Sequence, residues 1–393
     1  MEQSTSSLYT TLIPCGKELA AFVATEVEAL SLSVISQHGT GVVTKATWHD
    51  MLRLNLWLRT GLSVLILLKE FACRNPEELY REINAYPWET IIQPNDYLSV
   101  VSRVDNPTIK NTMFANQKVK DAICDRMKQK TGTRPDAGPE RDAIVIDLFW
   151  KDTRCWLYFN TSGRKLADRG YRKQPHTAPL QETLAAAILM ASGYDGRQPL
   201  VIPMCGSGTL AIEAALIARR FAPGLLRSNF GFMHHCTYVS ASWQELVQDA
   251  RGQIKTRAQP TIIATDHDPA ALSAARANAN AAGVSEMIRF EQSDFRATPL
   301  PASPGVIIFN PPYGERLGKP EELGELYSAI GDFLKQRCTG YTAFVLTANL
   351  ELAKKIGLRT SKRQLFFNAD KECRLLRYEL YAGSGKKPEE TNA

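Results

Sequence analysis

Short apolar runs alternate with amphipathic stretches along the chain, and the rhythm changes once. In the N-terminal part, "SLYTTLIPC" at 7–15 and "LSVLILLKEF" at 62–71 have strand length and strand composition. "KELAAFVATEVEAL" at 17–30 and "NQKVKDAICDRMKQKTG" at 116–132 have helical period, the second with Ile123 and Met127 on one face and lysines on the other. A stretch rich in Gly, Pro and charge, "TGTRPDAGPERD", then precedes the strand pair "AIVIDLFW" and "RCWLYFN". This is an α+β pattern, with no repeat of 20 to 50 residues.

From about residue 178 strand and helix take turns. The helix "TLAAAILMASG" stops at Gly193. The strand "PLVI" leads to the helix "TLAIEAALIARRFAPG", closed by Pro223 and Gly224. Then come the strand "TIIATD", a helix between Pro269 and Gly283, and the strands "MIRFEQSD", "GVIIFN" and "YTAFVLTA". Apolar strands alternating with amphipathic helices predict a parallel sheet covered on both faces, an α/β fold whose ligands bind at the carboxyl ends of the strands.

Four of those strand ends carry candidate chemistry. In "MCGSGT", Gly206 and Gly208 let the backbone approach a ligand, and the next helix offers a positive N-terminus. A plain strand-to-helix turn has the same glycines. A dinucleotide fingerprint fits less well, because Ala211 stands where its third glycine would be, and a Walker loop lacks its lysine. In "ATDHDP", Asp266 ends its strand where a carboxylate can accept both hydroxyls of a ribose. His267 can flank an adenine, and Asp268 precedes Pro269 as a helix cap. The adjacent side chains of Asp-His-Asp point apart, which disfavours a metal site. Asp294 in "FEQSDF" can accept from an adenine amino group, or simply cap a turn. In "FNPPYGERL", Asn310 offers a side-chain carbonyl, Pro311 a backbone carbonyl, Pro312 a stiff backbone and Tyr313 an aromatic face. Together they suit the amino group of a stacked base.

Composition narrows the class. At 393 residues, 44% hydrophobic and 22% charged, the chain has room for two or three globular domains. No apolar run approaches the roughly 20 residues that span a bilayer, and the N-terminus lacks the pattern of a secretion signal. The eight cysteines include no C-x-x-C pair and read as reduced thiols of a cytoplasmic protein, with no zinc site expected. Cys205 as a nucleophile is the competing chemistry, but it falls in the glycine loop rather than beside a base. The pair His234-His235 reads as surface. The net charge of +6 suits a polyanionic partner. Lys110, Lys118, Lys120, Arg126, Lys128, Lys130 and Arg134 crowd one segment, and Arg164, Lys165, Arg169, Arg172 and Lys173 the next. A solvated helix face gives similar runs.

The order of glycine loop, ribose acid, adenine acid and N-P-P-Y resembles the class I, S-adenosylmethionine-dependent methyltransferases that modify base amino groups. "MFANQKVKDAICDRMKQKTGTRP", "NTSGRKLADRGYR", "APLQETLAAAIL", "PMCGSGTLAIEAA", "NPPYGERL" and "ADKECRLLRYELY" are similar in sequence and spacing to the THUMP-domain RNA methyltransferases. Among these the bacterial RlmL type, which methylates guanine N2 of large-subunit ribosomal RNA, looks closest. The similarity covers nearly the whole chain, most strongly from Ser162 to Leu317 and most loosely over the first 60 residues. It implies a ferredoxin-like segment at 1–60, a THUMP RNA-binding domain at 61–165 and a Rossmann-like methyltransferase domain at 166–385, while the polar tail at 386–393, without apolar anchors, reads as disordered. It further implies S-adenosylmethionine held by Pro203, Cys205, Gly206, Ser207, Gly208, Thr209, Asp266, His267, Asp294 and Asn310. Catalysis falls to Asn310, Pro311, Pro312 and Tyr313. RNA contacts fall to Lys118, Lys120, Arg126, Arg169, Arg172 and Arg316, with no metal. The RlmL type often has a second methyltransferase domain; the end at residue 393 gives the expectation of one activity. Methylation of another RNA or DNA amine (adenine N6), and a catalytically weak RNA-binding assembly factor, stay open as alternatives.

One position departs from the pattern. The family's strand before the loop ends in aspartate, "DPxCGSGT", and this chain has Ile202 there. The missing carboxylate removes one charge-assisted interaction of about 1.5 to 3 kcal/mol. Ile202→Asp is therefore expected to tighten cofactor binding roughly tenfold to hundredfold in calorimetry. Unchanged affinity would show that the loop never depended on that carboxylate.

Overall fold

The computed structural model describes residues 7–106, 109, 111–174, 179–255, 261–312 and 320–381. The N-terminal elements run β1 (Tyr9–Pro14), α1 (Ala20–Ala29), β2 (Val34–His38), β3 (Gly41–Ala46), α2 (Trp48–Trp57), β4 (Leu65–Ala72), α3 (Pro76–Asn84), β5 (Tyr97–Asp105), α4 (Thr112–Thr131), β6 (Asp136–Ala137), β7 (Ile144–Lys151) and β8 (Arg154–Asn160). Their strands form one sheet in the order β2-β3-β1-β4-β8-β7-β5-β6. β1 pairs antiparallel with β4, Leu12 opposite Leu65, so the segments before and after residue 60 share a sheet. The lysine-bearing helix is the predicted one: Val119, Ile123 and Met127 of α4 are buried, and Gly132 ends it in the left-handed region that a C-terminal glycine tolerates.

The later elements are α5 (Glu182–Ala191), β9 (Leu200–Pro203), α6 (Thr209–Ala218), α7 (Ser240–Gly252), β10 (Ile262–Asp266), α8 (Pro269–Ala281), β11 (Ile288–Gln292), β12 (Val306–Phe309), α9 (Pro320–Arg337), β13 (Thr342–Thr347), α10 (Leu350–Lys355), β14 (Lys362–Asn368) and β15 (Lys371–Glu379). The second sheet has the order β11-β10-β9-β12-β13-β15-β14. Its first five strands are parallel. The wholly parallel expectation needs correction at the far edge, where β15 runs antiparallel to both β13 and β14. A tight turn at Asn368, Ala369 and Asp370 makes that antiparallel return possible, with Ala369 at φ 51°. Helix α6 also ends sooner than Pro223 and Gly224 predict, because Arg220 already sits at φ 52°. Among the described residues no helix is long and apolar enough to cross a membrane.

Two compact units emerge, Met1–Arg169 with Ala222–Gln253, and Gly170–Phe221 with Ile254–Ala393. Residues 222–253 lie inside the 166–385 span, yet they pack with the first unit. Gly224 lies so close to α2 that a Cβ there would meet the Leu56 Cα at 2.7 Å. The Phe232 N–H donates to the Thr161 carbonyl at 2.9 Å, and the Cys236 N–H to that of Ile91 at 2.9 Å. Arg227 lies over the Phe230 ring at 4.5 Å and donates to the Ser162 carbonyl at 2.9 Å. Trp243 of α7 closes an aromatic cluster with Phe230 and Phe232.

His235 is half-buried rather than a free surface residue. Its ring packs between Trp48, at 5.0 Å, and Phe159, at 5.4 Å, and its Nδ1 accepts from the Thr237 N–H at 3.2 Å. Burial pushes its pKa down from 6.5 to about 4. The folded protein thus excludes a proton that the unfolded chain binds, so this contribution to stability is complete above pH 6.5 and is lost as pH falls toward 4. The loss is at most about 3 kcal/mol. Urea unfolding of the protein and of His235→Gln should show this as a wild-type stability that falls more steeply between those pH values.

Candidate active site

The glycine loop is fixed from the strand below and the helix above. All four residues of β9 are buried, and Ile202 is 1% exposed opposite Ala264 of β10. Met204 leaves the strand at φ 58°, strain for a non-glycine residue, and packs against the apolar core around Phe309 and Tyr327. Gly206 and Gly208 follow at φ 55° and 83°. A Cβ on Gly206 would meet nothing within 4 Å, so its free side faces open space; one on Gly208 would stand 3.0 Å from the Ala275 Cβ of α8.

Asp266, at the tip of β10, organises the strand ends. Its Oδ2 accepts the Gly206 N–H at 2.9 Å and its Oδ1 the Asp268 N–H at 3.0 Å. Its carbonyl accepts the Ser293 N–H at 3.0 Å. Each carboxylate oxygen keeps a lone pair that can still accept from a ligand hydroxyl. The His267 ring is 82% exposed beside it. Asp294 caps the turn Phe295–Ala297, accepting the Arg296 N–H at 2.9 Å, with its carboxylate half exposed. Burial, with the Asp266 charge adding to it, pushes the Cys205 thiol well above its usual range, which opposes a nucleophilic thiolate.

At the end of β12, Phe309 is buried edge-on against Phe295 and Phe333, 6.0 Å from each. The next residue, Asn310, holds its Oδ1 buried with no hydrogen-bond partner among the described residues. Buried carbonyl oxygens are nearly always paired, so a lone one at a strand tip stands out as an acceptor with unused capacity. Pro311 is buried and Pro312 half-buried. Tyr313 and Arg316 lie outside the described residues.

One expected RNA contact, Arg169, is corrected, and two others, Arg126 and Arg172, are found in ion pairs. Arg169 is 1% exposed, with its guanidinium spent on the carbonyls of Leu58, Arg59 and Leu166. Arg126 forms a two-point ion pair with Glu89, at 3.1 and 2.6 Å. Arg172 pairs with buried Glu182, at 3.0 and 2.8 Å, beside the glycine loop. Each guanidinium found a partner that charge counting along the sequence does not reveal. Lys118 and Lys120 remain half-buried on α4, with the Lys118 ammonium 5.8 Å from the Phe114 ring centre. Among the described residues no three His, Cys, Asp or Glu side chains converge to hold a metal.

The loop has a support that the motifs do not mention. Asn278 of α8 is 1% exposed; its Oδ1 accepts the N–H groups of Lys173 and Gln174, and its Nδ2 donates to the carbonyls of Gln174 and Ser207. Its position at helical spacing from the buried Ala271, Ala274 and Ala275 is the legible clue, a polar residue on an apolar stripe. Glu213, buried within apolar α6 and accepting from the Tyr171 hydroxyl at 3.1 Å, is another.

Comparison with known proteins fits this geometry. Residues 169–377 match the family described as "RMKL-like, methyltransferase domain", 73–160 the THUMP domain and 10–65 the RlmL ferredoxin-like domain. The chain is 38% identical over 374 residues to a ribosomal RNA large subunit methyltransferase K/L of Syntrophotalea carbinolica, covering 93% of this chain and 52% of that one. It is 35% identical over 363 residues to a putative RNA methyltransferase of Synechocystis sp., covering 92% and 94%. The chain thus spans about half the length of the K/L relatives it matches. A putative methyltransferase crystallised with S-adenosylhomocysteine superimposes with a TM-score of 0.87 at 26% identity, over 96% of this chain and 100% of that one. A predicted N6-adenine-specific DNA methylase of Listeria monocytogenes gives 0.84 at 27% identity, over 95% and 97%.

The two loop glycines should separate by experiment. Gly206→Ala costs about 1 kcal/mol of backbone strain and fills the open side. Gly208→Ala adds a collision with Ala275 to the same strain, about 1 to 3 kcal/mol more. Thermal melts should show the larger loss for Gly208→Ala; equal losses would remove the packing role.

Proposed function

Because the chain belongs to the RMKL-like methyltransferase family, whose cofactor is S-adenosylmethionine, we propose that it methylates the N2 amine of a guanine in RNA. Large-subunit ribosomal RNA is the proposed substrate and the cytoplasm the proposed place. The observation that carries this reading is the buried, unpartnered Oδ1 of Asn310 at the strand tip. The residues present also fit the cofactor: Gly206 opens one side of the loop, and Asp266 keeps accepting capacity.

When bound, S-adenosylmethionine supplies an electrophilic methyl on a sulfonium. Gly206, Ser207, Gly208 and Thr209, with Pro203 and Cys205 at the strand exit, would line its methionine part. Asp266 would hold the ribose, with His267 and Asp294 toward the adenine. An aryl amine is a poor nucleophile because its lone pair is delocalised into the ring. Asn310 Oδ1 and the Pro311 carbonyl, accepting its two hydrogens, turn that lone pair out of the ring and stabilise the positive charge that grows on nitrogen. Pro312 stiffens the turn that presents both acceptors. Tyr313 is proposed as the face on which the flipped base stacks, and Arg316 as a phosphate contact. Lys118 and Lys120 are the proposed RNA-facing cations of α4.

Asn310→Ala should lower methyl transfer to ribosomal RNA by about a hundredfold or more while weakening S-adenosylhomocysteine binding far less. Loss of both in equal measure would remove the assigned role. Nucleoside analysis of the labelled RNA identifies the base, and label on adenine would correct the proposed substrate.

A further inference from the structure

The segment 171–174 is fastened at three points to α6 and α8, the helices beside the glycine loop. The Tyr171 hydroxyl donates to Glu213 Oε1 at 3.1 Å, inside α6. The N–H groups of Lys173 and Gln174 donate to Asn278 Oδ1, at 2.9 and 3.1 Å, and the same amide reaches the Ser207 carbonyl at 3.2 Å. Between these fixed points stands Arg172. Its Nε and Nη2 donate to Glu182 Oε1, its Nη2 also to the Leu180 carbonyl at 2.9 Å, and Nη2 reaches Thr209 Oγ1 at 3.4 Å. Thr209 is the first residue of α6, directly after the loop.

The remaining nitrogen, Nη1, is buried and has no hydrogen-bond partner among the described residues. A guanidinium cannot shed its charge, so an unpaired buried N–H is a standing cost that an anion would relieve. Nη2, the nitrogen bound to Glu182, is also the one that reaches Thr209, so the guanidinium lies beside the N-terminus of α6 with Nη1 left over, an arrangement suited to a second carboxylate. From this geometry we infer that Arg172 anchors the α-carboxylate of the cofactor's methionine end through Nη1, with Thr209 and the first amides of α6 beside it. The inference rests on the S-adenosylmethionine reading of the loop and gives Arg172 a positioning role instead of an RNA contact. Two acids, Glu182 and Glu213, already occupy this region. The methionine end is a zwitterion, so the added carboxylate brings its own countercharge.

The test compares two ligands that differ only in that carboxylate: S-adenosylhomocysteine and S-adenosyl-3-thiopropylamine. Binding of each to the full chain is measured by calorimetry for the wild type, for Arg172→Lys, and for Arg172→Gln combined with Glu182→Gln, which leaves no unpaired buried charge. The double variant should bind S-adenosylhomocysteine about ten- to hundredfold more weakly, Arg172→Lys less so in the same sense, and both should bind the thiopropylamine as the wild type does. Unchanged S-adenosylhomocysteine binding, or equal loss for both ligands, would overturn the inference, since a residue that only supports the loop weakens both. A wild type that binds neither ligand overturns the cofactor reading itself, an outcome distinct from a failure of Arg172 alone.

Discussion

One carboxylate holds the ligand end of the second unit together. Parallel strands run out of ladder partners at their tips, and the amides of the following loops are left to find acceptors elsewhere. Asp266 supplies two of these acceptors at once, for Gly206 and Asp268, while its own carbonyl takes the N–H of Ser293. A single residue thereby links the loop after β9, the turn after β10 and the exit from β11. With that link in place, three alternating left-handed positions at 204, 206 and 208 can be maintained in one short turn.

The same link bears on Ile202. A strand-end aspartate has two tasks, to hold the loop and to meet the cofactor, and here the Gly206 amide is already held from β10. Ile202 itself is a core residue of the central strand, 1% exposed. A carboxylate introduced there would enter a dry position, so the expected gain in affinity would be accompanied by a loss of folding stability. Arg172, in the segment before α5, pairs with Glu182 at the start of α5 and reaches Thr209 at the start of α6.

What was legible in the sequence follows the range of the interactions involved. The strands ending at Pro203, Asp266 and Phe309 are apolar runs cut off by Gly, Asp or Pro, and their local pattern predicts both the sheet and its ligand end. The hairpin of β14 and β15 is hidden, because its buried Phe366, Leu375 and Leu376 alternate with arginines and lysines that read as a solvated face. Arg126 and Arg169 hide their partners for a related reason: a guanidinium reads as free charge until a carboxylate or carbonyl distant in sequence is seen to accept from it. The partner of Arg126 is 37 residues away, and the carbonyls that hold Arg169 lie up to 111 away. Asn310 stands between the two cases. Its place at a strand tip is local and legible; that its oxygen is left unpaired is a property of everything around it.

The segment 222–253 changes what counts as a piece of this protein. The first unit takes residues from both sides of the second unit's opening stretch, so the chain passes from one unit to the other after Arg169, Phe221 and Gln253. A fragment cut after Arg169 would keep every strand of the first sheet yet lack Phe232, His235 and Trp243, leaving the faces of Trp48 and Phe159 uncovered. The converse fragment would carry those aromatic residues with nothing of the first unit beneath them. Synthesis has the same order: a ribosome that has finished residue 169 has not yet made all of the first unit, whose last piece arrives only after α5, β9 and α6.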